Sequence, residues 1–126
     1  MLDFGLAKNY EAAGSLTLTG DFKGTLQFVP PEQIKNTKAV GPRSDLFSLG
    51  GVLYFMLTGK FLYETKKEKV AELLRAVLEA RVVPITSRGV TLPPALVAVV
   101  NKSLAAELSN RYQSAEEMKH ALEIAL

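Results

Sequence analysis

The chain has 126 residues, no cysteine and a single histidine, which excludes a disulfide scaffold, a thiolate metal centre and a histidine-rich metal site. Fifteen basic and thirteen acidic side chains leave a formal charge of +2, with 48% hydrophobic and 22% charged residues, so the composition is globular and offers no dense basic block for nucleic acid or an anionic membrane. The longest apolar or glycine run, Leu49 to Leu57, falls far short of the roughly 20 residues a bilayer crossing needs, and Met1-Leu2-Asp3-Phe4 lacks the basic-then-apolar order of a secretory signal.

Residues 6–31 are rich in Gly, Ser, Thr and Pro without helical periodicity, and read as a long, functional loop. From Asp45 to Leu57 apolar side chains cover the whole helical wheel, which predicts a central helix buried on every side. Ser44 is its expected N-cap, and Thr58-Gly59 its expected end. Gly50-Gly51 in its middle costs about 1 kcal/mol each relative to alanine, which implies that something packs hard against the backbone there.

Val70, Leu73, Leu74, Val77 and Leu78 form one stripe of a second helix within residues 66–80. Residues 81–93, with Pro84, Gly89 and Pro93, read as irregular, Val82-Val83 being the one candidate for a short extended piece. Pro93-Pro94 opens a third helix carrying Leu96, Val97, Val100 and Leu104 on one face. Ser114 and Glu117, three apart, form a capping-box signature before a fourth helix with Met118, Ala121, Leu122 and Ala125. No repeat and no sheet of consequence is expected.

Four signatures in fixed order make the chain resemble the carboxy-terminal lobe of a bacterial-type serine/threonine protein kinase. Asp3-Phe4-Gly5 matches the D-F-G motif that opens the activation loop. Gly24-Thr25-Leu26-Gln27-Phe28-Val29-Pro30-Pro31-Glu32 is similar to the G-T-x-x-[YF]-x-A-P-E stretch that closes it, with Pro30 in place of the usual Ala. Ser44-Asp45-Leu46-Phe47-Ser48-Leu49-Gly50 resembles the start of the family's buried central helix, and Asn110-Arg111-Tyr112-Gln113-Ser114 the family's last signature.

The fold this implies is mainly α: the helical carboxy-terminal lobe of the α+β kinase fold, with a long activation-loop arm at the amino terminus. Residues 1–32 would be the activation segment and 33–126 the helical subdomain. Asp3 would hold Mg2+ against the ATP phosphates, Phe4 would be the packing switch and Gly5 the flexible joint. Gly24, Thr25 and Phe28 would form the platform for a protein Ser/Thr substrate. Ser15, Thr17 and Thr19 lie where relatives are phosphorylated, although the arginine that reads such a phosphate belongs to an H-R-D motif that this chain lacks, so solvated hydroxyls are an equal reading. Glu32 and Arg111 would form a structural ion pair, and Asp45 would hydrogen-bond catalytic-loop backbone.

Neither a Gly-rich loop, a V-A-I-K lysine nor a catalytic loop occurs in the chain. By itself it is therefore expected to bind neither ATP nor Mg2+ and to be inactive, a piece of a cytoplasmic kinase whose Met1 is internal or a spurious start. Without the preceding helix and loop, one side of Leu46 to Leu57 should be uncovered, to be met by the missing lobe or by self-association. The competing reading is a non-catalytic, kinase-derived scaffold or protein-binding module.

Overall fold

The computed structural model describes residues 26–64 and 70–126, and among these the secondary structure is helical, with no strand. The order is α1 (Pro31–Lys35), α2 (Pro42–Thr58), α3 (Val70–Leu78), α4 (Pro94–Ser103) and α5 (Ala115–Ala125), with single 3-10 turns at Thr37–Ala39, Ile85–Ser87 and Leu108–Asn110. The amino-terminal arm expected over residues 6–31 lies outside this description up to Thr25.

α2 is the axis of the described residues, packed against α4 and α5, while α1 packs against α3. Its start corrects the sequence reading. Ser44 is not the N-cap but the third helical residue, because Pro42, with its fixed φ and missing N–H, takes the first position and Gly41 precedes it as N-cap. The Ser44 hydroxyl still serves the helix start by accepting from the Gly41 N–H at 3.2 Å. At the other end Gly59 adopts φ 72°, the left-handed cap that glycine tolerates, and donates to the Phe55 carbonyl at 2.7 Å.

Gly50 lies where α2 and α4 cross. A Cβ built there would sit 2.8 Å from Ser103 Cβ and 3.3 Å from Leu104 Cδ2, so only a hydrogen side chain allows this approach. Phe47 and Tyr54, both fully buried, join Leu62, Val77, Ile85 and Val100 in one core; Leu46, Val99, Tyr112 and Met118 form a second between α2, α4 and α5. The expectation of burial on every side fails at Leu49, Phe55 and Met56, which are 41%, 38% and 74% exposed. Among the described residues those packed on α2 cover Phe47 and Tyr54, and leave Leu49 and Met56 on an open flank.

The amphipathic helix expected at 66–80 is described as Val70–Leu78, and it buries Leu73, Ala76 and Val77 as its stripe implies. Just beyond its end Ala80 carries φ 51°, while Arg81 N–H reaches back to the Ala76 carbonyl at 3.0 Å. A left-handed conformation costs an L-residue roughly 1–2 kcal/mol that glycine escapes, so Ala80→Gly is expected to raise stability by about 1 kcal/mol, read as a higher urea midpoint at unchanged slope. Val82-Val83 makes no strand: the Val83 N–H donates to the Leu62 carbonyl at 2.8 Å, and Tyr54 Oη donates to the Val83 carbonyl at 2.7 Å. α4 opens at Pro93-Pro94 as the proline pair implies.

The box at α5 is one-sided. Ser114 Oγ accepts from the Glu117 N–H at 3.1 Å, but the Glu117 carboxylate reaches the Gln113 N–H, one residue before the cap, at 3.4 Å.

Candidate functional site

Glu32 sits on α1, where Pro31 starts a helical turn directly after the extended Val29-Pro30, and Arg111 follows the 3-10 turn Leu108–Asn110. Seventy-nine positions apart in the chain, they meet as a forked pair: Arg111 Nη1 donates to Glu32 Oε2 at 2.6 Å and Nη2 to Oε1 at 2.8 Å. Arg111 is 1% exposed and Glu32 7%, so both charges are out of water.

Burial of two charges is favourable only when every donor and lone pair is engaged. Arg111 meets that condition. Its Nε donates to the Ala105 carbonyl at 2.7 Å, Nη1 also to Arg43 at 3.3 Å and Nη2 to Ala106 at 3.4 Å, while the Phe47 ring centroid lies 4.8 Å from the guanidinium carbon. Ser44 Oγ adds a third donor to Glu32 Oε2 at 2.6 Å. One arginine thus joins α1, the start of α2, and the loop after α4.

Burial pushes the Glu32 carboxyl up, but the hydrogen bonds from Arg111 and Ser44, together with the adjacent positive charge, outweigh it and hold the group below its usual 4.5. A depressed carboxylate contributes stability that is complete above the unfolded-state value and is lost as pH falls through the folded value. The chain is therefore expected to lose stability as pH drops below 4.5, and Glu32→Gln to flatten that part of the profile, measured as urea midpoint against pH.

The stretch leading into α1 is sealed onto α2. Ser48 Oγ donates to the Phe28 carbonyl at 2.8 Å, and Gln27 Oε1 accepts from the Tyr63 N–H at 3.4 Å. The Phe28 ring meets Phe61 edge-on at 5.9 Å and Phe55 at 6.5 Å, and Phe55 stacks on Phe61 at 4.9 Å. Burial pushes the Tyr63 hydroxyl well up, and it has no hydrogen-bond partner among the described residues.

Asp45, in the first turn of α2, has a buried Oδ1 with no partner among the described residues. It shares a helical face with Leu49 and Met56, four and eleven positions on, so the open flank of α2 begins with an unanswered acceptor and continues with apolar side chains.

Of the residues singled out from sequence, the structure brings Glu32 and Arg111 together and places Phe28 against α2. Asp3, Phe4, Gly5, Ser15, Thr17, Thr19, Gly24 and Thr25 lie outside the described residues. Among the described residues no three His, Asp or Glu side chains converge as a metal site. Sequence reasoning missed Ser44 as the third member of the clamp, because a serine at a helix start reads as a cap. It also missed Phe55, which periodicity absorbs into the central helix, and Phe61, which follows that helix and belongs to no periodic stretch.

These elements define the helical lobe of a kinase-type domain, and the comparisons agree. The protein kinase domain family matches residues 1–122. The serine/threonine-protein kinase PknB of Mycolicibacterium smegmatis is 41% identical over 122 residues, 94% of this chain and 19% of its own length. The serine/threonine-protein kinase PknD of Chlamydia pneumoniae is 32% identical over 126 residues, covering 98% of this chain and 13% of that protein. The tyrosine-protein kinase MasK of Myxococcus xanthus is 36% identical over 123 residues, 98% of this chain and 18% of that protein. The chain belongs to the protein kinase domain family and forms part of such a domain; it spans about a fifth of the length of the PknB relatives it matches. The family uses ATP and Mg2+ and acts on protein substrates.

Proposed function

We propose that this chain is the stretch of a serine/threonine kinase catalytic domain that runs from the metal-binding tripeptide to the last helix of the helical lobe. Residues 1–32 are its activation segment and 33–126 its helical subdomain. The observation that carries this reading is the buried Glu32–Arg111 fork, which ties the end of the one to the end of the other. In the whole domain a substrate hydroxyl oxygen bonds to the γ-phosphorus of ATP, the bond to the β,γ-bridging oxygen breaks and ADP leaves. The proton passes to a base in the catalytic loop, which belongs upstream of Asp3.

When bound, Mg2+ neutralises charge on the phosphates, and Asp3 is this chain's ligand for it. Gly24, Thr25 and Phe28 carry the acceptor peptide, and a serine or threonine acceptor follows the PknB relatives and Thr25 rather than the tyrosine kinase MasK. Phosphate on Ser15, Thr17 or Thr19 would add about −2 charge to the loop. The flank of α2 that begins at Asp45 receives the rest of the domain: a backbone N–H answers Asp45 Oδ1, and apolar side chains cover Leu49 and Met56. The isolated chain then binds no Mg·ATP. Among the described residues no helix is long and apolar enough to cross a membrane, and a cytoplasmic setting completes the reading.

The test is a graft in which residues 1–122 replace the matching segment of the M. smegmatis PknB kinase domain. Magnesium-dependent phosphorylation of serine or threonine in a protein substrate is expected, with loss of at least a hundredfold in kcat in Asp3→Ala at unchanged melting temperature. A folded graft without activity, or full activity in Asp3→Ala, contradicts the reading.

A further inference from the structure

Both ends of α3 are fastened at one point, by a buried side chain that takes no part in the Glu32–Arg111 fork. The Val83 N–H, after α3, donates to the carbonyl of the buried Leu62 before it at 2.8 Å. A relay of hydrogen bonds crosses this junction: Arg88 Nε donates to Tyr54 Oη at 2.8 Å, and Tyr54 Oη donates to the Val83 carbonyl at 2.7 Å. Arg88 Nη2 also donates to the Phe61 carbonyl at 2.7 Å, so one guanidinium joins α2, the stretch before α3 and the stretch after it. The Arg88 side chain is 9% exposed, and the 3-10 turn that presents it is anchored in the core by Ile85.

α3 itself is placed to move separately. α2, α4 and α5 pack on one another, whereas α3 packs chiefly on the five-residue α1. It buries Leu73, Ala76 and Val77 and leaves Ala71 and Arg75 exposed. Proteins open in cooperative units, and an element with one buried face and few helical neighbours belongs to the less stable end. We infer that Arg88 and Tyr54 form a latch: closed, it holds α3 to the body made by α2, α4 and α5, and its release lets α3 open as a unit while that body stays folded. The phenol accepts and donates at once, which phenylalanine cannot do, and the guanidinium reaches two acceptors in a fixed fork. Glu64, 72% exposed and 3.8 Å from Arg88 Nη1, adds little, as an exposed partner in water does.

The test is native-state amide exchange on the full 126-residue chain in low, rising urea. Amides 74–78 of α3 are expected to exchange through an opening with roughly half, or less, of the urea dependence shown by α4 and α5, which report global unfolding. The latch is made in the closed form and broken in both the open and the unfolded forms. Arg88→Met should therefore speed α3 exchange by roughly tenfold or more, and exchange in α4 and α5 by the same factor. Tyr54→Phe, the second variant, should do likewise, and the two together should give less than the product of their separate factors. Val99→Ala, in the second core, should speed exchange in α4 and α5 and leave the separate opening of α3 unchanged. Glu64→Gln should change either by no more than about twofold.

Equal urea dependence for α3 and for α4 and α5 in the unaltered chain means that α3 opens only with the whole molecule, and overturns the inference. Latch variants that speed α4 and α5 but not α3 overturn it as well, because the latch would then survive the opening. So does a Val99→Ala chain in which α3 speeds up together with α4 and α5 at every urea concentration.

Discussion

Arg111→Met is expected to cost about 3–5 kcal/mol, because it strands the Glu32 carboxylate in a site that water does not reach. Single domains have only about 5–15 kcal/mol of stability, so this one change removes a large share of it. The loss comes from more than the pair. Arg111 also supplies the donors for Ala105, Ala106 and Arg43 carbonyls, and without it the loop after α4 loses its tie to the start of α2. Glu32→Gln should also be costly, since it leaves the buried Arg111 guanidinium without its counter-charge, although the amide oxygen keeps one acceptor for it. The double variant should be more stable than the sum of the two losses allows, by about 1–3 kcal/mol in a urea-unfolding cycle. Strict additivity would show that the two side chains do not share one site.

Gly50→Ala is the second large effect, and its sign is set by a competition. Alanine gains about 1 kcal/mol of helix propensity over glycine, while overpacking costs about 1–3 kcal/mol. The Ser103 side chain is in the way, its Oγ nearest and its Cβ at 2.8 Å; because that Cβ is fixed to the backbone of α4, relief requires the two helices to part. The clash wins, and a net loss of about 1–2 kcal/mol is expected, deepening to more than 2 kcal/mol in Gly50→Val. Gly51→Ala provides the contrast, since its Cβ would meet only the Phe28 ring at 3.1 Å and the Leu62 tip at 3.4 Å. That substitution should lie near zero or stabilise slightly in the same melts. Ser103→Gly should recover part of the Gly50→Ala loss if the contact is the cause.

These two sites show what kind of information a linear sequence carries. The paired glycines announced a close approach because their helix-propensity cost has no local benefit, although nothing local names Ser103 as the neighbour. α3, α4 and α5 were legible from stripes and proline or serine starts, since an amphipathic period records which face is buried. α2 was legible as a helix from periodicity, which predicted burial all round; the uncovered side was expected only from the resemblance, through the helix and loop that the chain lacks. Residues apolar all round look identical whether covered by this chain or by another part of the domain. The short helix α1 carried no signal, because a five-residue turn opened by Pro31 has no period to read. The Glu32–Arg111 pairing came only from resemblance, because a contact over 79 positions leaves no trace in spacing.

The central claim is that the open flank of α2, with Asp45 Oδ1 at its head, is the seat of the remainder of a kinase domain. The most direct measurement mixes the chain with a separately produced upstream part of the M. smegmatis PknB kinase domain, ending at its catalytic loop, and follows amide exchange and phosphotransfer together. A one-to-one complex is predicted, with amides of α2 protected at least tenfold beyond the free chain and ATP-dependent phosphorylation that neither part has alone. Unchanged exchange along α2 and no phosphotransfer, with both parts folded, would contradict the claim.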